Sequence, residues 1–123
     1  MNGYQYDGNT FDSSWELIVY LVEKHRGSDI TYNPNISFKY EYNNRQYTYF
    51  PDFQINGILV EVKGDQFFKP DGTMYCPYKH SWQTEDDYMR ICEKFEAKRQ
   101  CMIANNVKIL RRKEINEYIK LLN

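Results

Sequence analysis

The chain has 123 residues, with 16 Lys and Arg against 17 Asp and Glu and a formal charge of −1. This length suits one domain over residues 1–123 built round a single core, and the near-neutral balance argues against a general polyanion binder. No apolar run is long enough to cross a bilayer and no basic-then-apolar leader opens the chain, so a soluble intracellular protein without a membrane partner is expected.

Met1 to Thr10 is polar and rich in Gly and Asn, which reads as a loose lead-in. Ser13 followed three residues later by Glu16 is a capping box, with Phe11 as a staple residue before it. The run from Leu17 to Val22 is almost wholly apolar, so the helix it forms is buried on more than one side. It ends near His25-Arg26-Gly27, with cations in the last turn and glycine beyond. Residues 28–35 read as a polar connection.

Two hairpins follow. Ile36, Phe38, Tyr40 and Tyr42 alternate with polar residues, Asn43-Asn44 turns the chain, and Gln46 to Phe53 returns. Asn56-Gly57 then turns a second hairpin, because both residues tolerate the positive φ of a type I′ turn. These turns put Tyr40 opposite Tyr47, Phe38 opposite Tyr49, Phe53 opposite Val60 and Asp52 opposite Glu61. Alternation places the four aromatics on the core face with Phe53, Ile58, Val60 and Val62. Lys39, Glu41, Gln46, Thr48, Asp52, Glu61 and Lys63 fall on the other face. Carboxylates directly opposite one another repel. A divalent cation between Asp52 and Glu61 would remove that repulsion, and Lys63 reaches the same place. Pro51 cannot donate to a ladder, so pairing is expected to break or bulge beside Asp52.

Asp65 to Gln83 has turn residues at both ends and aromatic rings between cations, including Lys69, Tyr75 and Lys79. A loop of this length is usually functional, and such a mixture suits unpaired bases and phosphates. Cys76 and His80 are only half of a metal-ligand set. The three cysteines, Cys76, Cys92 and Cys101, have no paired spacing and suit a reducing, cytoplasmic setting.

Thr84, with Asp87 three residues on, caps a long helix whose stripe is Tyr88, Ile91, Cys92 and Phe95. Lys98 or Arg99 interrupts that stripe before Met102 and Ile103 restore it. A cation there either snorkels or faces a charged site. Val107 to Leu110 reads as a short strand and Glu114 to Leu122 as a last helix. Residues 1–87 carry 7 Lys/Arg and 13 Asp/Glu, whereas residues 88–123 carry 9 and 4. The basic third could follow a phosphate backbone while the acidic part holds metal, or the two could simply balance.

The order helix, three strands, loop, helix, strand, helix, with Pro51-Asp52 and Glu61-Val62-Lys63 across a hairpin, resembles the PD-(D/E)xK nuclease superfamily, and Glu16 looks like that group's first-helix acid. The resemblance covers roughly Phe11 to Leu110. It implies an α/β fold of restriction-endonuclease-like type, with a mixed four-stranded sheet flanked by helices in the order αβββαβα. It further implies a Mg²⁺-dependent DNA endonuclease, with Mn²⁺ able to substitute, similar to the small nucleases of phages and mobile elements. Asp52, Glu61 and the main-chain carbonyl of Val62 would be the metal ligands. Lys63 would position or deprotonate the attacking water, and Glu16 would orient that water or Lys63. Lys98, or failing it Lys94, would be the further cation that some relatives carry on the next helix. Lys69, Tyr75, Lys79, Lys94 and Arg99 are the candidate DNA contacts. Many members cut as homodimers or act inside larger nucleoprotein complexes. Two other readings stand beside this one: a catalytically silent module for DNA binding or assembly, and a surface ion cluster in an ordinary α/β protein.

Overall fold

A computed structural model describes residues 3–122; Met1, Asn2 and Asn123 lie outside the described residues. In chain order the elements are β1 (Tyr4–Tyr6), β2 (Asn9–Phe11), α1 (Ser14–His25), β3 (Ile30–Tyr32), β4 (Phe38–Tyr42), β5 (Arg45–Tyr49), β6 (Phe53–Ile55), β7 (Ile58–Val62), α2 (Glu85–Ala104), β8 (Lys108–Leu110) and α3 (Arg112–Lys120). The fold is α/β, with three helices round a mixed four-stranded sheet of order β3-β6-β7-β8. Among the described residues only the β7–β8 pairing is parallel. No helix among the described residues is long and apolar enough to cross a membrane.

Turn chemistry sets the register. Asn43 and Asn44 have φ of 54° and 61°, and Asn56 and Gly57 have φ of 50° and 83°. Both loops therefore supply the two positive φ angles that let strands continue with their natural twist. The pairs Phe38↔Tyr49, Tyr40↔Tyr47 and Phe53↔Val60 follow, as the sequence predicts.

The expected αβββαβα order is incomplete. The lead-in holds a hairpin, β1–β2, turned by Asp7-Gly8. The supposed polar connection contains β3, which pairs with β6 at the sheet edge. Hairpin β4–β5 is a sheet of its own instead of part of the four-stranded one.

A second difference is one of faces. The strand read from Gln46 to Phe53 is broken at residues 50–52, and β6 starts only at Phe53. Phe50 is 65% exposed, whereas Pro51 beside it is buried. Asn33 N–H donates to the carbonyl of Asp52 at 2.8 Å, tying the break to the end of β3. Across this break the chain changes sides. Phe53 packs with Phe11, Val19, Tyr20, Tyr32, Val60, Leu110 and Ile115. Tyr49 packs with Cys101, Met102 and Val107, and Phe38, Tyr40, Leu59 and Ile109 lie against that second cluster. The hairpin aromatics thus share a face with Leu59 and Glu61, not with Phe53, Val60 and Val62. Pro51 is the physical reason: without an N–H it cannot extend the ladder, so alternation does not carry through it. Ile58 also departs from the expected core, being 53% exposed at the hairpin tip.

The sheet therefore has two covered faces. The α1–α3 side carries the larger core, and the other side is roofed by α2 and the β4–β5 hairpin. Helix α1 begins at the expected cap, with Ser13 Oγ accepting from Glu16 N–H at 3.2 Å. Helix α2 does likewise, Thr84 Oγ1 accepting from Asp87 N–H at 3.0 Å. Helix α3 starts at Arg112, two residues earlier than the sequence suggests. Glu23, a buried acid of α1, accepts from Tyr118 Oη at 2.6 Å and Ser28 Oγ at 2.7 Å, so its role is to join α1 to α3.

Candidate functional site

The break between β5 and β6 lies against the end of β7, where the strand buries Glu61. Continuing the β6–β7 register puts Pro51 opposite Val62. A regular ladder would exchange two hydrogen bonds there. Pro51 has no N–H to give to the Val62 carbonyl. The Val62 N–H is taken by the Asp52 carboxylate at 2.8 Å instead. One proline therefore bends the strand, draws Asp52 onto the sheet end, and withholds a ladder donor from the carbonyl between Glu61 and Lys63. Lys63 N–H in turn donates to the Leu110 carbonyl at 3.0 Å, so β8 pins the far side of the same segment.

Glu61 is only 5% exposed, and its Oε1 accepts from Tyr49 Oη at 2.7 Å. Tyr49 reaches it because the face change brings the β5 aromatics to the Glu61 side. The sequence reading missed this contact, since alternation put Tyr49 on the opposite face. Tyr49→Phe deletes the O–H that this buried carboxylate accepts. We expect it to cost about 1.5–3 kcal/mol of stability, read from urea unfolding.

Glu16 is 7% exposed. Its Oε1 accepts from Asp12 N–H at 3.1 Å and from Tyr32 Oη at 2.8 Å. The capping box is thus closed one residue early, on Asp12. The acid also holds β3 through Tyr32, so it serves as cap and as a fixed charge beneath the sheet end.

These carboxylates feel one another. Burial, followed by repulsion from Glu61, raises the pKa of Asp52, against the lowering effect of the Val62 N–H. Burial likewise raises Glu61, with the Tyr49 hydroxyl and the Lys98 and Lys63 ammoniums opposing. The two titrate as a pair. Burial also raises Glu16, with Lys63 acting the other way. Lys63 is shifted down by burial and by the neighbouring positive charge of Lys98. Its Nζ lies 4.3 Å from the centre of the Phe67 ring. Lys98 Nζ lies 5.5 Å from the Tyr49 ring centre. Among the described residues, Asp52, Glu61, Lys63 and Lys98 make no salt bridge.

The sequence-predicted residues thus divide into two groups. Glu16, Asp52, Glu61, Lys63 and Lys98 lie near enough at the sheet end to shift one another's ionisation, and Asp52 bonds the Val62 N–H there. The proposed DNA contacts lie elsewhere. Lys94 Nζ sits 3.8 Å from the Tyr47 ring centre, on the hairpin. Arg99 is held by both oxygens of Glu96, at 2.7 and 2.9 Å. Lys79 pairs with Glu85 at 3.1 Å, and Lys69 Nζ lies 6.0 Å from the Tyr75 ring centre. Cys76 and His80 do not form a ligand pair: the thiol of Cys76 donates to the Tyr78 carbonyl, and His80 stacks on Trp82.

Among the described residues no three His, Cys, Asp or Glu side chains form a ready ligand cluster. The donor set at the sheet end is of another composition: two mutually repelling carboxylates and a main-chain carbonyl without its ladder donor. All are hard oxygens, which suit Mg²⁺ or Mn²⁺ rather than a thiophilic ion. No protein-family model, curated protein or solved structure matches the chain.

Proposed function

We propose that the chain is a Mg²⁺-dependent deoxyribonuclease of PD-(D/E)xK type with a restriction-endonuclease-like core. The observation that carries this reading is the convergence, at a proline-broken strand, of Asp52, Glu61 and Lys63 with Glu16 and Lys98 close enough to shift their ionisation. Raised carboxylates beside a lowered lysine are a costly arrangement for a fold and a useful one for hydrolysis.

Asp52, Glu61 and the Val62 carbonyl would hold the ion. Bound there, Mg²⁺ supplies Lewis acidity and charge neutralisation at a phosphodiester. Lys63 is the proton-handling group. With its pKa lowered, Nζ gives up its proton more readily than a free lysine and would then accept one from an attacking water. Glu16, locked by Asp12 and Tyr32, would help to orient that lysine through its charge. Lys98 offers positive charge to the phosphate from the α2 side.

The experiment is a cleavage screen with Mg²⁺ and Mn²⁺ over supercoiled, linear, single-stranded and four-way-junction DNA. Cleavage that stops with chelator is expected. Absence of cleavage on every substrate, together with DNA binding that needs no metal, would favour a silent DNA-binding module on the same scaffold.

A further inference from the structure

The loop after β7 carries aromatic surface that the fold leaves open. Trp82 is 77% exposed and Tyr78 is 57% exposed. Trp82 lies parallel to His80, with ring centres 5.3 Å apart and an angle of 8° between planes. The turn that presents the pair is fixed at both ends. His80 N–H donates to Gln83 Oε1 at 2.8 Å, and Gln83 N–H donates to the His80 carbonyl at 3.1 Å. Stacked on one side only, the indole presents its other face to solvent.

Through Tyr78 this loop reaches the candidate site. Lys63 Nζ lies over the Phe67 ring, and Tyr78 meets that ring edge-on at 6.1 Å. Phe67 also packs on Phe95 of α2 at 6.1 Å. Rings therefore run from the lysine of the site to Tyr78, two residues before His80 in the chain. Between Gln66 and Gln83 the chain carries Lys69, Lys79 and His80 against one acid, Asp71. Flat rings with open faces, a modest positive balance and no deep cleft suit nucleobases that are already unpaired, because each base offers a face to stack on. A paired duplex hides those faces.

We infer that the His80–Trp82 stack, with Tyr78, is a platform for unpaired bases of single-stranded DNA, which makes the substrate of the neighbouring site a strand with a single-stranded stretch. The inference rests on the nuclease reading for its functional meaning, but its test does not need cleavage.

The test is titration of the native protein, in chelator, with a short single-stranded oligothymidylate, following tryptophan emission. Trp15 is half-buried under Arg112 and serves as the background emitter. Quenching on titration is expected, with weaker binding to the fully paired duplex of the same length. Trp82→Ala should weaken single-strand binding by on the order of 5- to 100-fold. Trp82→Phe should keep the binding, read by anisotropy of a labelled strand, while losing the quench. Because Trp82 is exposed, both variants should fold, which circular dichroism checks. No quench, or equal affinity in Trp82→Ala and the native protein, overturns the inference. Quenching without cleavage in any metal removes the nuclease reading and leaves the platform standing; cleavage without quenching does the reverse.

Discussion

Lys63→Ala and Asp52→Ala are each expected to lower Mg²⁺-dependent cleavage by about 10²- to 10⁴-fold, measured as initial rates on supercoiled plasmid. The two losses have different origins. Asp52 is one of the two carboxylates that would carry the ion, and its oxygen also holds Val62 N–H. Lys63 holds no ligand, so its loss should leave ion binding intact while removing the proton acceptor. Lys63→Arg sharpens the point. It keeps the positive charge but gives a guanidinium that does not deprotonate. If Lys63 accepts a proton, the arginine variant stays as inactive as the alanine one. If only its charge matters, arginine restores much of the rate and the role assigned to Nζ is wrong. Lys94→Ala, on α2, serves as the contrasting change. Its ammonium lies on the Tyr47 ring of the hairpin, so only a small loss is expected. A loss equal to that of Lys63→Ala would mean that α2 presents a different cation to the site.

The second large effect concerns stability without metal. Asp52, Glu61 and Glu16 have folded-state pKa values above their ordinary ones. A group raised on folding binds more protons in the folded state. Its contribution is complete below its unfolded pKa and is lost as pH rises through the folded one. For these three the loss begins near the ordinary values of 3.8 and 4.5 and continues upward. Glu96 acts in the opposite direction, since its ion pair with Arg99 pulls it down to about 2. The overall curve mixes both signs, so the informative quantity is a difference. Asp52→Asn keeps an oxygen for Val62 N–H and removes the charge. It should be more stable than the native protein near neutrality, by about 1–3 kcal/mol, and so unfold at a higher temperature. This advantage should shrink as pH falls towards 4. Saturating Mg²⁺ should reverse the order, because only the native protein gains stability by binding it. Thermal unfolding at several pH values, with and without Mg²⁺, reads all three effects. An Asp52→Asn protein less stable than native in chelator at neutral pH would mean that the carboxylate is held by favourable contacts rather than against repulsion.

Much of the site was legible because two turns fix two registers. Asn43-Asn44 and Asn56-Gly57 each demand one backbone geometry, and that demand aligns Phe38 with Tyr49 and Phe53 with Val60. Glu16 was legible through its cap. The side on which Tyr49 lies was not. Tyr47, Tyr49, Pro51 and Phe53 keep perfect alternation through a stretch where the backbone is not a strand, so periodicity carries no sign of the reversal. Pro51 marks the place of the break but not its outcome. The short edge strand β3 was hidden for a different reason. Three residues between polar neighbours hold too little pattern, and their partner is β6, far along the chain. The β1–β2 hairpin did leave a signal, since Asp7-Gly8 is a preferred type I′ pair. Its strands are three residues each, β1 is exposed throughout and β2 is buried only at Phe11, so too little apolar pattern announces them. Lys98 faces the acids because α2 packs over the second core cluster, and that helix phase is a product of tertiary packing with Tyr49, Cys101 and Met102.

We propose that Asp52 and Glu61 hold a divalent cation between them. Calorimetric titration of Mn²⁺ into the metal-free protein near pH 8 asks this directly. Saturable binding to the native chain, retained in Lys63→Ala and abolished in Asp52→Asn, is the predicted result. Native protein that takes up no ion, or an Asp52→Asn variant that takes up as much, would contradict it.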